Sequence, residues 1–290
     1  MGTGSLRYQG YEIRYDEHGE GERPIVLIHG LLLNRHLFDR LAPMLAGEGN
    51  RVICIDLLGH GDSGRSKDLR LYSTPLFARQ VVAVLNHLEL ETAVIGGTSL
   101  GANVSLEVAV RNPGRVEGLV LQMPVLDKAV AAIAALYTPM LLGLRAGRPI
   151  LGPAAKLASR IPRSHVLIDS WLDFLRLPPG PSADVLEGMM LGEAAPHRDE
   201  RREIFQPALV VGHQRDPVHP FSDSGMLAGE LPEARLVEAG SPLDWKFRPK
   251  RLAVEMSRFL DEVWAETEAL EGAGAGSYGN GDYRRVSVGR

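Results

Sequence analysis

The chain has a single cysteine, and residues 220–290 contain no histidine at all. One cysteine, Cys54, excludes an internal disulfide. It sits in the apolar run Val52-Ile53-Cys54-Ile55, which predicts a buried and inert thiol. Net positive charge is also lacking. The formal charge is -4, so there is no general basic field to hold a nucleic acid. No long apolar run exists. The longest, Val130 to Leu144, is interrupted by Pro139 and falls short of the ~20 residues that cross a bilayer. The opening Met1-Gly2-Thr3-Gly4-Ser5 lacks the basic-then-apolar order of a secretory signal. These absences predict a cytoplasmic protein with no membrane span and no nucleic-acid partner.

The remaining composition is that of an ordinary globular protein, with 44% hydrophobic and 23% charged residues over 290 positions. That length suits one large α/β domain with an insertion. Tyr11 to Tyr15 alternates in polarity, as a half-buried strand does. Continuous apolar runs follow at Pro24 to Ile28, Val52 to Ile55, Thr92 to Ile95, Val116 to Leu121, Ala208 to Val211 and Ala234 to Val237. Such runs fit strands of a parallel sheet covered on both faces. Helical spacing appears between them, in Phe77, Val81, Val84, Leu85 and Leu88, and again in Leu252, Met256, Phe259, Leu260 and Val263. Alternating strand and helix predicts an α/β fold, a mostly parallel sheet with helices on both faces. The alternation stops over 125–205, where Pro and Gly separate helix-like segments and no strand pattern occurs. We read this span as an inserted helical cap, 1–124 and 206–268 as the core, and the glycine-rich 269–290 as a disordered tail.

Gly97-Thr98-Ser99-Leu100-Gly101 lies between a strand pattern and the helical run Leu100 to Asn112. A G-x-S-x-G in that context is a nucleophile elbow, a tight turn that lifts a serine hydroxyl out of the backbone. A second glycine pattern, Gly59 to Gly64, matches the G-x-G-x-x-G dinucleotide fingerprint. No helix pattern follows it, and no acidic residue stands about 20 positions on, which argues against a nucleotide site. No histidine–carboxylate cluster has metal-ligand spacing, so neither metal nor cofactor is implied.

The elbow, together with three other segments, resembles the α/β-hydrolase fold family over roughly Leu6 to Glu268. The other three are Ile28-His29-Gly30-Leu31-Leu32, the loop Asp56 to Gly64, and Gly212-His213-Gln214-Arg215-Asp216-Pro217-Val218-His219-Pro220. The resemblance implies Ser99 as nucleophile and Asp216 as the acid of its triad. It also implies the N–H groups of Leu31 and Leu100 as the oxyanion hole, with His29 shaping its turn rather than moving protons. Two fixed donors of that kind stabilise charge that appears only in the transition state.

In that family the base is a histidine on the loop after the last strand. Here that loop, Glu238 to Pro249, has none, and the family position falls near Ser241 or Pro242. Three substitutes are available. His219 lies three residues after Asp216; His165 or His197 could reach in from the cap; and Asp216 or Asp244 could act directly or through water. The sequence thus predicts an esterase-like serine hydrolase acting on a small or medium apolar ester or acyl compound, with a non-standard triad. The alternative is a non-hydrolytic pseudoenzyme that uses the same pocket to bind a small molecule or a partner protein. Tyr137, Met140, Leu141, Trp171, Phe174, Met189 and Met190 are available to line a pocket or to fill the cap's core. Between Lys128 and Arg163 the cap carries six basic residues and no acidic one. This is either an attraction for an anionic ligand or acidic surface, or a solvated face balanced by later acids.

Overall fold

The computed structural model describes the chain except residues 164–165, 215, 217, 242–243 and 277–290. His165, Pro242 and most of the glycine-rich tail lie outside the described residues. Eight strands form one sheet: β1 (Gly2–Tyr8), β2 (Tyr11–His18), β3 (Arg23–Ile28), β4 (Asn50–Ile55), β5 (Ala93–Thr98), β6 (Val116–Gln122), β7 (Ala208–Gly212) and β8 (Ala234–Glu238). Their spatial order is β1-β2-β4-β3-β5-β6-β7-β8. β1 pairs antiparallel with β2, and β2 antiparallel with β4, while every pairing from β4 to β8 is parallel.

Helices α1 (Ala42–Gly47), α2 (Thr74–His87) and α3 (Leu100–Arg111) connect the first parallel strands. Five more, α4 (Ala129–Ala146), α5 (Arg148–Ala158), α6 (Val166–Leu175), α7 (Pro179–Leu191) and α8 (Arg198–Arg201), fill the interval between β6 and β7. The chain then continues through α9 (Phe221–Glu230), α10 (Asp244–Phe247) and α11 (Lys250–Gly276).

From β3 to β7 the apolar runs are continuous because both faces of the sheet are covered, whereas the expected run Ala234 to Val237 forms the edge strand β8, which is largely exposed. Along β3, Val26 and Ile28 face one core with Phe77, Val81 and Val84 of α2 and Val104 and Val108 of α3. Ile25 and Leu27 face the other, with Leu45 of α1, Trp245 of α10, and Met256, Phe259 and Leu260 of α11. The alternation is the period-two pleat of a strand. Burying a Leu, Ile or Phe of this kind contributes roughly 1.5–3 kcal/mol, so the two cores hold the sheet rigid beneath the site. Cys54 belongs to the second core, and burial pushes its thiol well above the ordinary range.

Two boundaries differ from the sequence reading. β1 is an outer strand of Gly, Thr, Ser and Arg whose burial pattern is largely exposed, so it has no apolar run to announce it. The tail expected from 269 begins as helix, since α11 continues to Gly276. Glu266, Glu268, Ala269 and Leu270 are good helix formers, and they carry the helix into the first glycines. Among the described residues, no helix is long and apolar enough to cross a membrane.

Candidate active site

Ser99 stands between the end of β5 and the first turn of α3, with φ 53° and ψ -112°. A side-chain residue held there is strained by about 1–3 kcal/mol and persists only when its surroundings over-determine it. They do so here. Ser99 N–H donates to Gln122 O of β6 at 2.8 Å, and Asn103 N–H donates to Ser99 O at 3.1 Å. A Cβ on Gly97 or on Gly101 would be driven into the Ile28 carbonyl oxygen at the end of β3. Both glycines of the motif are therefore required by the packing of the turn against the neighbouring strand.

Opposite the elbow, the loop after β7 brings two further groups. Asp216 Oδ1 accepts the N–H of Val218 at 2.8 Å and of His219 at 3.0 Å, which draws His219 back against Asp216. Its other oxygen, Oδ2, accepts from His219 Nδ1 at 3.0 Å. With Nδ1 carrying the proton, Nε2 is an acceptor, and it lies 2.9 Å from Ser99 Oγ. Burial pushes the Asp216 carboxyl up. The hydrogen bonds from the His219 ring, its N–H and that of Val218 outweigh that effect, so the group sits below the ordinary carboxylate range. A charged Asp216 is thus fixed behind a histidine that faces the serine.

Two of the other substitutes for a base, His197 and Asp244, are elsewhere. His197 is exposed and caps α8, with Asp199 N–H directed at its Nδ1. Asp244 Oδ2 accepts from Ser241 N–H at 3.0 Å and so shapes the start of α10. In that same segment, Lys246 Nζ reaches Asp173 of α6 at 3.5 Å, and Arg40 donates to Phe247 O at 2.9 Å. The loop after β8 ties elements together.

The remaining histidines near the site are structural. His29 is fully buried, with Nδ1 donating to Gly30 O at 2.8 Å and Nε2 accepting from Leu57 N–H at 3.2 Å. His213 follows β7, its Nε2 accepting from Gln122 Nε2 at 3.0 Å and its Nδ1 donating to Ala239 O at 3.1 Å. Burial pushes the pKa of both rings down, so both are neutral spacers. The Asp56 to Gly64 loop is held by Arg35, which donates to Asp16 at 2.8 Å, to Asp62 at 2.8 Å and to Asp56. Arg35, Asp16 and Asp56 are buried while Asp62 is exposed, and no motif in the sequence marks Arg35 as their partner.

A cavity of about 190 Å³ opens beside Ser99. Leu31 and Leu100 line it, and so do Val125, Ile133, Tyr137, Leu186, Met189 and Met190. Leu100 is the first residue of α3, and N–H groups in the first turn of a helix have no acceptor within it. Leu31 precedes Leu32, which has φ 59°, so the backbone turns sharply next to the serine. Of the candidate pocket residues, Met140 and Leu141 instead pack against the core, and Trp171 and Phe174 border a separate apolar groove. Asn103, not singled out in the sequence, also lines the cavity. Its Nδ2 donates to Val125 O and Ala194 O at 2.8 and 2.6 Å, fastening both ends of the helical insertion to α3. Among the described residues no group of three or more His, Cys, Asp or Glu side chains is placed to hold a metal.

Known proteins share this architecture. Residues 23–149 match the family described as alpha/beta hydrolase fold. The chain is 33% identical over 234 residues to the dihydrolipoyllysine-residue acetyltransferase component of an acetoin cleaving system from Pseudomonas putida. That match covers 77% of this chain and 59% of the acetyltransferase component. It is 26% identical over 287 residues to a 2-hydroxymuconate semialdehyde hydrolase from the same species, covering 90% and 93% of the two chains. The enol-lactonase of Burkholderia xenovorans LB400 superposes with a TM-score of 0.72 at 22% identity, over 89% of this chain and all of that one. The strand order, the elbow and these matches agree, and the chain has the α/β-hydrolase fold.

Proposed function

We propose that the protein is an esterase-like serine hydrolase whose triad is Ser99, His219 and Asp216. The observation that carries this reading is the continuous run of hydrogen bonds from Ser99 Oγ to His219 Nε2 and from His219 Nδ1 to Asp216. A serine hydroxyl is a weak nucleophile until an adjacent base takes its proton. His219 Nε2 receives that proton as Oγ bonds to the substrate's carbonyl carbon. Asp216 holds the ring in the reactive tautomer and offsets the positive charge that develops on it. The carbonyl oxygen, now an oxyanion, is stabilised by the N–H groups of Leu31 and Leu100. His219 returns the proton to the departing alcohol, leaving an acyl group on Ser99. A water then attacks that acyl group as its proton passes to His219, and the acid leaves as Oγ is reprotonated.

The cavity supports a modest, largely apolar acyl group. Its ~190 Å³ lies below the range of about 300–1,000 Å³ usual for drug-sized ligands, and its walls are mostly aliphatic. The similarity to 2-hydroxymuconate semialdehyde hydrolases supports a small organic substrate. A serine-directed phosphonate should label wild-type protein at Ser99, and Ser99→Ala should abolish both labelling and turnover of short aryl esters. Wild-type protein that neither labels nor turns over would leave the fold without this chemistry.

A further inference from the structure

We infer that the outer face of α5 and α6 is a docking surface for an anionic lipid bilayer. The sheet domain hides its large apolar side chains well, whereas most of the exposed ones lie between Leu136 and Leu191. On α6 the apolar stripe is turned outward. Ile168, Trp171, Phe174 and Leu175 recur at helical spacing and all are exposed, with Trp171 at 76% of its full surface, while Asp169 and Leu172 face in. On α5, Ile150 and Leu157 lie seven residues apart on one side and are exposed, while Ala155 and Ala158 are buried. The two helices pack on each other. Large exposed apolar side chains gathered on two packed helices of a globular protein mark a site of association.

Charge selects the occupant. From Lys128 to Arg163 there are six basic residues and no acidic one, although the whole chain carries -4. Arg145 is neutralised by Asp184 and Glu187, and Arg163 by Asp173. Lys156 and Arg160, on either side of the exposed Leu157, are themselves exposed. A second copy of this chain meeting the same face would set these cations against each other. An anionic bilayer would attract each of them while accepting the apolar side chains at the headgroup boundary. No helix among the described residues spans a membrane, so the attachment is to the surface.

The chain carries its own reporter for the test. Trp245 and Trp264 are buried at 0% and 6% exposure, leaving Trp171 as the tryptophan open to solvent. The protein should co-sediment with vesicles of phosphatidylglycerol and phosphatidylcholine in equal parts, with a blue shift of its tryptophan emission, and should not do so with phosphatidylcholine alone. Trp171→Phe should erase the shift. Neutralising two cations in Lys156→Gln/Arg160→Gln should weaken partitioning about 25-fold, from roughly fivefold per charge. Ile150→Ser/Leu157→Ser should weaken it independently of salt. Absence of sedimentation with anionic vesicles at low salt would overturn the inference. So would sedimentation indifferent to the cation variants, or a vesicle-free dimer in which Trp171 emission is already blue-shifted.

Discussion

Replacing His219 is the most direct challenge to the proposed chemistry. In His219→Gln the ring that accepts from Ser99 at 2.9 Å and donates to Asp216 at 3.0 Å is gone, and no other described histidine or carboxylate side chain makes a hydrogen bond to Ser99. Removing the base of a serine triad costs on the order of a millionfold in turnover. At about 1.36 kcal/mol per decade that is roughly 8 kcal/mol of lost transition-state stabilisation. The folding cost is far smaller. The His219 side chain supplies two hydrogen bonds in a part-buried loop, worth about 0.5–1.5 kcal/mol each, against a typical stability of about 5–15 kcal/mol. The variant should therefore fold, superimpose on wild type by circular dichroism, and lose aryl-ester turnover to the level of Ser99→Ala. The Ser99→Ala/His219→Gln double variant should be no worse than either single one, because the groups act as a unit. Asp216→Asn should fall less, by about 10⁴, since the serine and the ring remain. If His219→Gln retained turnover within tenfold of wild type while Ser99→Ala was dead, the proton of Ser99 would be going elsewhere and the assignment of the base would fail.

Two stability predictions follow from the scaffold. Gly101→Ala should destabilise the fold by about 2 kcal/mol. Alanine in a helix gains ~1 kcal/mol over glycine, but here its Cβ meets the Ile28 and His29 backbone, where overpacking reaches the upper end of its ~1–3 kcal/mol range or beyond. Urea unfolding would measure it, and a stabilised variant would refute the packing argument. Acid should weaken the fold before carboxylates titrate. Burial holds the His29, His60 and His213 rings neutral, with pKa values below the usual ~6.5 of the unfolded chain. Below pH ~6.5 the unfolded state takes up protons that the folded state refuses. Their full contribution is therefore present above pH ~6.5 and is lost as pH falls toward the folded values, by up to ~1.4 kcal/mol per pH unit for each ring. Equal unfolding free energies at pH 7.5 and pH 5.5 would contradict this.

What the sequence discloses depends on how local the cause is. The elbow was legible because Gly97, Ser99 and Gly101 answer to one turn and its two flanking elements. The parallel strands were legible because burial on both faces leaves no polar positions in Ile25 to Ile28 or Val94 to Ile95. The strand β1 was not legible, because an exposed edge of Gly, Thr and Ser makes no hydrophobic demand. His219 could be read as one candidate among several, since its spacing to Asp216 is local but its distance to Ser99 is set by the loop after β7. Pocket lining in the helical insertion was legible only by composition. Tyr137, Met189 and Met190 reach the cavity beside Ser99, while Trp171 and Phe174 turn away from it, and helical periodicity alone does not orient one helix against another.

The short interval from Asp216 to His219 has a consequence for how the site assembles. The proposed acid and base become neighbours as soon as Asp216 accepts from His219, at the small closure entropy of a loop three residues long. The only distant partner still to be found is Ser99, 120 residues away. A triad spread over three separate loops must close two such long chains, and each adds its own entropy and its own positional error. Here the error between acid and base is confined to one short segment. Drift of the rest of the fold can act on a single gap, the 2.9 Å between Ser99 Oγ and His219 Nε2.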